Sequence, residues 1–374
     1  MIGLISVNNG DTMRAVQGFL KNLLQNGLVE ALYLPLQVDG GAILPALVTD
    51  PARLDQANPL APVMSINSAR AVSAITNKKP PARLGVVLRS CEIRALYELV
   101  KLQQASLEDL TIIGIDCPGT FELSEIVHRK EEFNQYLPEY LAAAREGKQP
   151  SFAGLSPRQA CQMCVQPLPT HADIALHLFG ADPTQGIPVE LSEELAGRLG
   201  CETAPVDLEA ERQKVVEKVI AERAQVRQQE LDQVRRKLAS NGSLAGMFMD
   251  CIRCHNCMTV CPICYCKTCL FKTSSFDHPP EHYLLAAHQK GAVRLLGDTL
   301  LFHLTRLNHM SLSCVSCGMC TSACPADIPV GAIFSAIGEQ AAAAFNYVPG
   351  RDVSEPLPLV TFQVNEWTEV GEAR

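Results

Sequence analysis

No apolar run in this 374-residue chain approaches the ~20 residues that a bilayer crossing needs. The opening stretch, Met1-Ile-Gly-Leu-Ile-Ser-Val7, lacks a basic lead and reaches Asn8-Asn9-Gly10 too soon for a secretory signal. A cytoplasmic protein without a membrane span is therefore expected. Basic charge is also short: 32 Lys and Arg stand against 40 Asp and Glu, a net charge of −8. Phosphate neutralisation needs clustered Lys and Arg, so this balance argues against nucleic-acid binding as the main task. The Gly-x-Gly-x-x-Gly fingerprint of a Rossmann nucleotide site is missing. No acid–base pair stands out, and no catalytic residue is assigned.

Cysteine is what the chain has in quantity, sixteen residues in all. Without an export signal, and at metal-ligand spacings, they read as reduced thiolates rather than disulfides. Cys251-x-x-Cys254-x-x-Cys257-x-x-x-Cys261-Pro262 recurs as Cys314-x-x-Cys317-x-x-Cys320-x-x-x-Cys324-Pro325. Three thiolates at i, i+3 and i+6 wrap one face of an iron–sulfur cube. The fourth, before a proline, ligates the other cube in two-cluster ferredoxins. The expected ligands are thus Cys251, Cys254, Cys257 and Cys324 for one [4Fe–4S] cluster, and Cys314, Cys317, Cys320 and Cys261 for another. The chain moves single electrons. Cys251-Ile-Arg-Cys254-His255 also fits the c-type haem attachment pattern, but that reading leaves Cys257 and Cys261 without a role and His255 is read as a loop residue.

The length suits two or three domains, and 47% hydrophobic with 19% charged residues is an ordinary globular composition. Residues 1–118 alternate strands (2–7, 31–36, 43–48, 84–88, 111–115) with amphipathic helices, one of them N-capped by Asp11 and ending at Gly27. Such alternation predicts a mixed α/β domain with a largely parallel sheet over residues 1–205, although 119–205 yields no traceable topology. Asp207–Lys237 reads as a linking helix within 206–242. Leu208, Val215, Val219, Val226, Val234 and Leu238 form its apolar stripe, and Asn241-Gly242 breaks it. Its charged face is read as solvated rather than as a docking surface. Residues 243–345 form a mainly helical two-cluster ferredoxin-like domain. The insert 262–313 exceeds what a compact ferredoxin needs and carries a helix at Thr299–His309, with Leu300, Leu301, Leu304 and Leu307 as its apolar positions. An extended tail, 346–374, ends in a β-prone stretch at Leu359–Val364.

A second cysteine set lies upstream. Cys91 and Cys117 each follow a strand, and parallel neighbours would place both at the carboxyl edge where open α/β sheets bind ligands. Cys161-x-x-Cys164 adds a two-thiol bite, so these four can hold one more cube. Buried unliganded thiols, or zinc held by four thiolates, are the alternatives. Cys264, Cys266 and Cys269 are too dense for packing alone and receive no assigned role; Cys201 reads as a bystander.

Gly85-Val-Val-Leu-Arg-Ser-Cys91-Glu-Ile-Arg-Ala-Leu96 resembles the Pro-Cys-Gln-hydrophobic-x-Ala-Leu signature of the coenzyme F420 hydrogenase/dehydrogenase beta-subunit family. Val7-Asn-Asn-Gly10 with the helix and strand through Ala31 is similar to that family's N-terminal glycine loop. Ala160-Cys161-Gln-Met-Cys164 with Ala172-Asp-Ile174 is similar to its Cys-x-x-Cys…Ala-Asp-Ile segment. Downstream, Asp298–Arg306 leading into Ser313-Cys314-Val-Ser-Cys317-Gly318 resembles formate dehydrogenase beta subunits of the same group. The resemblance implies FAD beside a [4Fe–4S] cluster held by Cys91, Cys117, Cys161 and Cys164, with Asn9, Gly10, Ser90 and Glu92 at the flavin. Three departures stand out: Ser90 replaces the family's proline, Glu92 its glutamine, and a single Gly10 its two-glycine loop. As a helix-first-turn carboxylate, Glu92 also has a purely structural reading. The implied function is an electron-transfer subunit of a multi-subunit oxidoreductase, linking a soluble two-electron carrier through FAD and clusters to partner redox subunits. The alternative is a flavin-free iron–sulfur wire whose α/β domain is a docking scaffold.

Overall fold

The strands expected in residues 1–118 all join one eight-stranded sheet, and the irregular stretch 119–205 supplies three more. The computed structural model describes residues 1–39, 41–78, 80, 82–129, 133–205, 207–240, 243–293 and 297–360. The strands are β1 (Ile2–Ser6), β2 (Ala31–Gln37), β3 (Ile43–Val48), β4 (Leu84–Arg89), β5 (Leu110–Ile115), β6 (Ile174–Leu176), β7 (Gly186–Leu191) and β8 (Glu202–Thr203). Their order is β3-β2-β4-β5-β6-β7-β1-β8. The central β2, β4, β5 and β6 run parallel. Both flanks are antiparallel: β3 on β2 at one side, then β7, β1 and β8 at the other. The first strand of the chain therefore does not open the parallel series; it pairs at the far flank with a strand from the untraced stretch.

Helices α1 (Thr12–Gln25), α2 (Ala69–Thr76), α3 (Ser90–Lys101), α4 (Leu123–Arg129), α5 (Phe133–Glu146), α6 (Gln159–Gln162) and α7 (Glu193–Leu199) belong to this half. Asp11 caps α1 by accepting from Arg14 N at 3.0 Å. The parallel strands are buried on both faces, and their side chains alternate as a pleat requires. Val87, Ile113 and Ile115 face a core shared with α1 and α5. Val86, Leu88 and Ile112 face the opposite core, with α2 and α3.

That opposite core continues into the cysteine-rich half, which contains α8 (Asp207–Ala239), α9 (Ser243–Met247), α10 (Asn256–Thr259), α11 (Pro280–Lys290), α12 (Gly297–Met310), α13 (Met319–Ser322) and α14 (Val330–Ala344). Phe302, Leu307, Ile333 and Phe334 pack in one cluster with Ile93 and Leu96 of α3. The 33-residue α8 spans roughly 50 Å and stitches the two cores together. Val215, Val216 and Val219 lie in the first, Leu231 and Val234 in the second. Four of its five arginines reach partners on other elements. Arg212 pairs with Asp116, Arg223 donates to the carbonyl of Cys117 at 3.4 Å, and Arg227 and Arg235 both reach Glu339. The break expected at Asn241-Gly242 lies outside the described residues.

The α12 helix forms where expected but buries a different face. Leu301 and Leu304 are exposed, while Thr299, His303 and Arg306 are buried with Phe302, Leu307 and Met310. Apolarity alone chose the wrong stripe because this helix turns polar groups toward buried thiols. The tail is anchored first: fully buried Glu98 accepts from Tyr347 Oη and, at 2.7 Å, from Gly350 N. The expected strand at 359–364 falls largely outside the described residues.

Candidate metal centres

Parallel pairing decides where the upstream thiols sit. Arg89 of β4 is in register with Ile115 of β5, so Cys91 and Cys117 each leave the sheet two residues beyond the same rung. The short α6 brings Cys161 and Cys164 to that edge. All four line a cavity of about 340 Å³, which Cys314 and Cys317 of the downstream half also line.

The cavity has the donors that sulfur ligands need. Thr120 gives its backbone N–H to Cys161 Sγ at 3.4 Å, and its hydroxyl lies at the same distance. Arg158 reaches Cys161 Sγ at 3.7 Å and Thr120 Oγ1 at 2.9 Å. Ser90 Oγ is buried without a partner on the cavity wall, leaving a donor for whatever the thiols hold. Burial pushes the Cys117 thiol up to about 11, Arg89 working against it, and drives Cys91 well above the ordinary value. Cys161 goes the other way: burial raises it, but Arg158, Thr120 and Arg223 together hold it below the usual thiol range. Among the described residues no three His, Cys, Asp or Glu side chains gather tightly enough for a single metal ion. A zinc ion needs every sulfur about 2.3 Å from one point. A cube carries its irons at separate corners and tolerates a wider thiol set, so the donors fit a cluster better.

The two repeated motifs repeat in the backbone as well as in the sequence. The second and fourth residues after each first cysteine are left-handed: Arg253 and His255 in one loop, Ser316 and Gly318 in the other. Alternate left-handed residues turn successive thiols and N–H groups inward. Cys251, Cys254, Cys257 and Cys324 line one small cavity. Cys261 lies instead among Cys314, Cys317 and Cys320, where it is the thiol that most opposes ionisation of Cys320 and Cys317. Backbone N–H groups of Ser316 and Met319 point at Cys314 and Cys317.

Sequence reasoning missed the side chains that serve these thiols. Arg306 Nη1 donates to Cys257 Sγ at 3.1 Å, and Nη2 to the Cys257 carbonyl at 3.1 Å. His303 Nε2 lies 3.4 Å from Cys251 Sγ, its ring stacked on Phe248 with centroids 3.6 Å apart. Burial, with help from Arg306, lowers His303 to about 3, so its ring is neutral; a ligating thiolate carries no hydrogen, which makes Nε2–H the donor. The available signal was the Thr299, His303, Arg306 spacing, three polar residues on one helical face. His255, read as a loop residue, caps α10 and packs on Phe302.

Gly318 ties the two halves together. A Cβ there would come 2.3 Å from Ala160 Cβ, and its φ is +74°. Gly318→Ala is therefore expected to cost ~1–2 kcal/mol from the left-handed backbone, plus the clash. The double variant Gly318→Ala/Ala160→Gly should recover the clash portion alone, as read from thermal unfolding; equal loss in both would refute the packing account.

The remaining predicted residues fall in different places. Cys264 is pushed up to about 11 by burial and by neighbouring Cys261; Cys269 contacts Met258, and Cys266 is exposed. Cys201 packs against Gly3. Asn9 and Gly10 form an exposed left-handed turn after β1, four strand positions from Ser90 and Glu92, roughly 19 Å along the sheet edge. Both carboxylate oxygens of Glu92 are committed, accepting from Ser68 N and Arg89 N at 2.9 Å each. Glu92 thus caps α3 rather than facing the cavity, and the four residues assigned to a flavin do not come together.

Residues 247–328 match the 4Fe-4S dicluster domain family. The chain is 27% identical over 314 residues to the F420-dependent formate dehydrogenase subunit beta of Methanocaldococcus jannaschii, covering 75% of this chain and 77% of that protein. It is 26% identical over 390 residues to F420-dependent formate dehydrogenase 1 subunit beta of Methanococcus maripaludis, covering 94% of each. A chain of the F420-reducing [NiFe] hydrogenase complex from Methanosarcina barkeri superposes with a TM-score of 0.44 at 14% identity, covering 62% of this chain and 92% of that one, a likeness too loose to bear on the chemistry. None of the helices is long and apolar enough to cross a membrane among the described residues. The chain, an α/β sheet with cysteines at its carboxyl edge followed by a paired 4Fe-4S region, is thus similar along most of its length to the beta subunits of F420-dependent formate dehydrogenases.

Proposed function

We propose that this chain is the single-electron segment of a formate-dehydrogenase-type oxidoreductase complex, with three [4Fe–4S] sites in sequence. The observation that carries the reading is the one cavity lined by Cys91, Cys117, Cys161 and Cys164 together with Cys314 and Cys317. A bound [4Fe–4S] cluster takes up and releases one electron at a time. The residues of this chain do the rest. Cys91, Cys117, Cys161 and Cys164 hold the α/β site, and the paired loops hold the other two, each exchanging its fourth thiol. Close approach of Gly318 to Ala160 packs the loop of the second site against the helix that carries Cys161. Thr120, Arg158, Arg306 and His303 supply donors to sulfur. Buried Phe248, Phe302 and Phe334 give these sites apolar surroundings, with Cys254 open to solvent.

The relatives' names carry F420 dependence, and exchange with such a deazaflavin carrier is a hydride reaction that ordinarily needs a flavin partner. Asn9 and Gly10 stand apart from Ser90, and Glu92 is tied to the α3 cap, so no step through FAD is derived for this chain. The flavin-free relay is the preferred reading, with partner subunits supplying the two-electron chemistry. The full chain, loaded anaerobically with iron and sulfide, should carry no stoichiometric flavin. It should be reduced by reduced methyl viologen but not by F420H2 or NADH alone. One tightly held flavin per chain with direct reduction by F420H2 would overturn that choice and restore the flavin entrance.

A further inference from the structure

The cavity of the α/β site is walled by cations as well as thiols. Arg94, Arg158 and Arg223 line it with the four cysteines, and fully buried Arg89 stands behind, anchored on the Ala61 carbonyl. Each is held in place. Arg94 donates to the carbonyls of Val315 at 3.2 Å and Pro349 at 2.7 Å; Arg223 donates to those of Cys117 and Pro118; Arg158 is fixed by Thr120. Anchoring on neutral carbonyls leaves the positive charge unspent. Glu339 is paired with Arg227 and Arg235, while buried Glu92 and Glu98 lie close enough to offset part of the charge of Arg89 and Arg94. Glu122 is reached only through Ser322, which lies 3.4 Å from Arg158.

We infer that this arginine shell makes the α/β site the highest-potential of the three, the place where an electron entering the chain comes to rest. The inference rests on the three-site reading above. Reduction there adds one electron and no proton, one extra negative charge among three or four fixed guanidiniums in a medium of low dielectric, where attraction falls off slowly. The other two sites are less fully surrounded, and neither has Arg223 or Arg89 beside it. At the first, Cys254 is exposed to screening solvent and Arg253 is answered by Asp298, leaving Arg306. The second shares Arg306 and the outer faces of Arg94 and Arg158.

The test is an electron-paramagnetic-resonance redox titration of the full, iron-loaded chain, dithionite being the reductant. The α/β signal is identified as the one lost in Cys91→Ser. It should titrate at the highest potential. Arg158→Met and Arg223→Met should each weaken its reduction equilibrium about tenfold, 59 mV for one electron; Arg223→Met should leave the other two signals unmoved, while Arg158→Met should move the second signal by less than the α/β one. Lysine at either position should restore most of the loss, which a merely structural role would not do, and Arg223→Met covers the case in which the more buried Arg158 variant fails to fold. An unmoved midpoint with iron content intact, or a wild-type α/β signal at the lowest potential, would refute the shell. About eight irons per wild-type chain, with no third signal, would instead remove the site and the three-site reading along with it.

Discussion

Replacing Cys161 and Cys164 together by serine should lower the iron content of the anaerobically loaded chain from about twelve atoms to about eight. The two residues supply half of the α/β thiol set, and serine offers a hydroxyl that stays protonated where a thiolate is needed. The loss should be confined to one site. Cys251, Cys254, Cys257 and Cys324 line their own cavity, and Cys261 sits with Cys314, Cys317 and Cys320. Two resonance signals should therefore survive with unchanged potentials. Cys201→Ser is the control: it packs beside Gly3 in the first core, and its loss should leave iron unaltered. If the double variant keeps all its iron, the four upstream cysteines are buried thiols and the relay ends at the second site. If it loses about eight irons, the second and third sites depend on one another through the Gly318–Ala160 contact.

Arg212→Met should destabilise the fold by ~3–5 kcal/mol, the cost of leaving a buried charge without its partner. Asp116 is fully buried just past β5 and accepts from Leu178 N at 2.8 Å, Phe179 N at 3.1 Å and both terminal nitrogens of Arg212. The carboxylate thereby joins the end of β5 to the turn after β6, and the guanidinium pins the start of α8 onto both. Methionine keeps the bulk but removes the charge. Asp116→Asn in the Arg212→Met background should recover part of the loss, because a neutral amide oxygen can still accept from the two backbone N–H groups. Urea unfolding of the single and double variants reads this directly, as a lower midpoint at unchanged slope. A loss below about 1 kcal/mol would mean that solvent reaches Asp116 and that α8 is held by its valines alone.

Strand and helix positions in residues 1–118 were legible because hydrophobic period and caps act locally: Asp11 before α1, and the apolar run of β4 before Cys91. Residues 119–205 were not, since β6 is three residues long and β7 owes its place to antiparallel pairing with a strand from the start of the chain. On α8 the valine stripe was readable, but the destinations of Arg212, Arg223, Arg227 and Arg235 were not. Each partner lies on another element, and a charged side chain carries no sequence mark of being bound within. On α12 the leucines misled for the same reason: helix burial was decided by thiols on a loop some fifty residues upstream.

By itself the sequence determined the paired ferredoxin-type loops, because ligand spacing around a cube is a local geometric demand that i, i+3 and i+6 thiols meet wherever the loop is placed. It also marked the strands that precede Cys91 and Cys117 by their apolar runs, while their parallel pairing in register came from the fold. Only the tertiary structure decided that these two meet Cys161 and Cys164 at one cavity wall beside Cys314 and Cys317. It alone decided that arginines from α3, α8 and the loop before α6 close around them, and that Glu92 caps α3. Those outcomes depend on which surfaces pack, on buried charges finding partners, and on backbone close approach at Gly318, all of them properties of residues far apart in the chain.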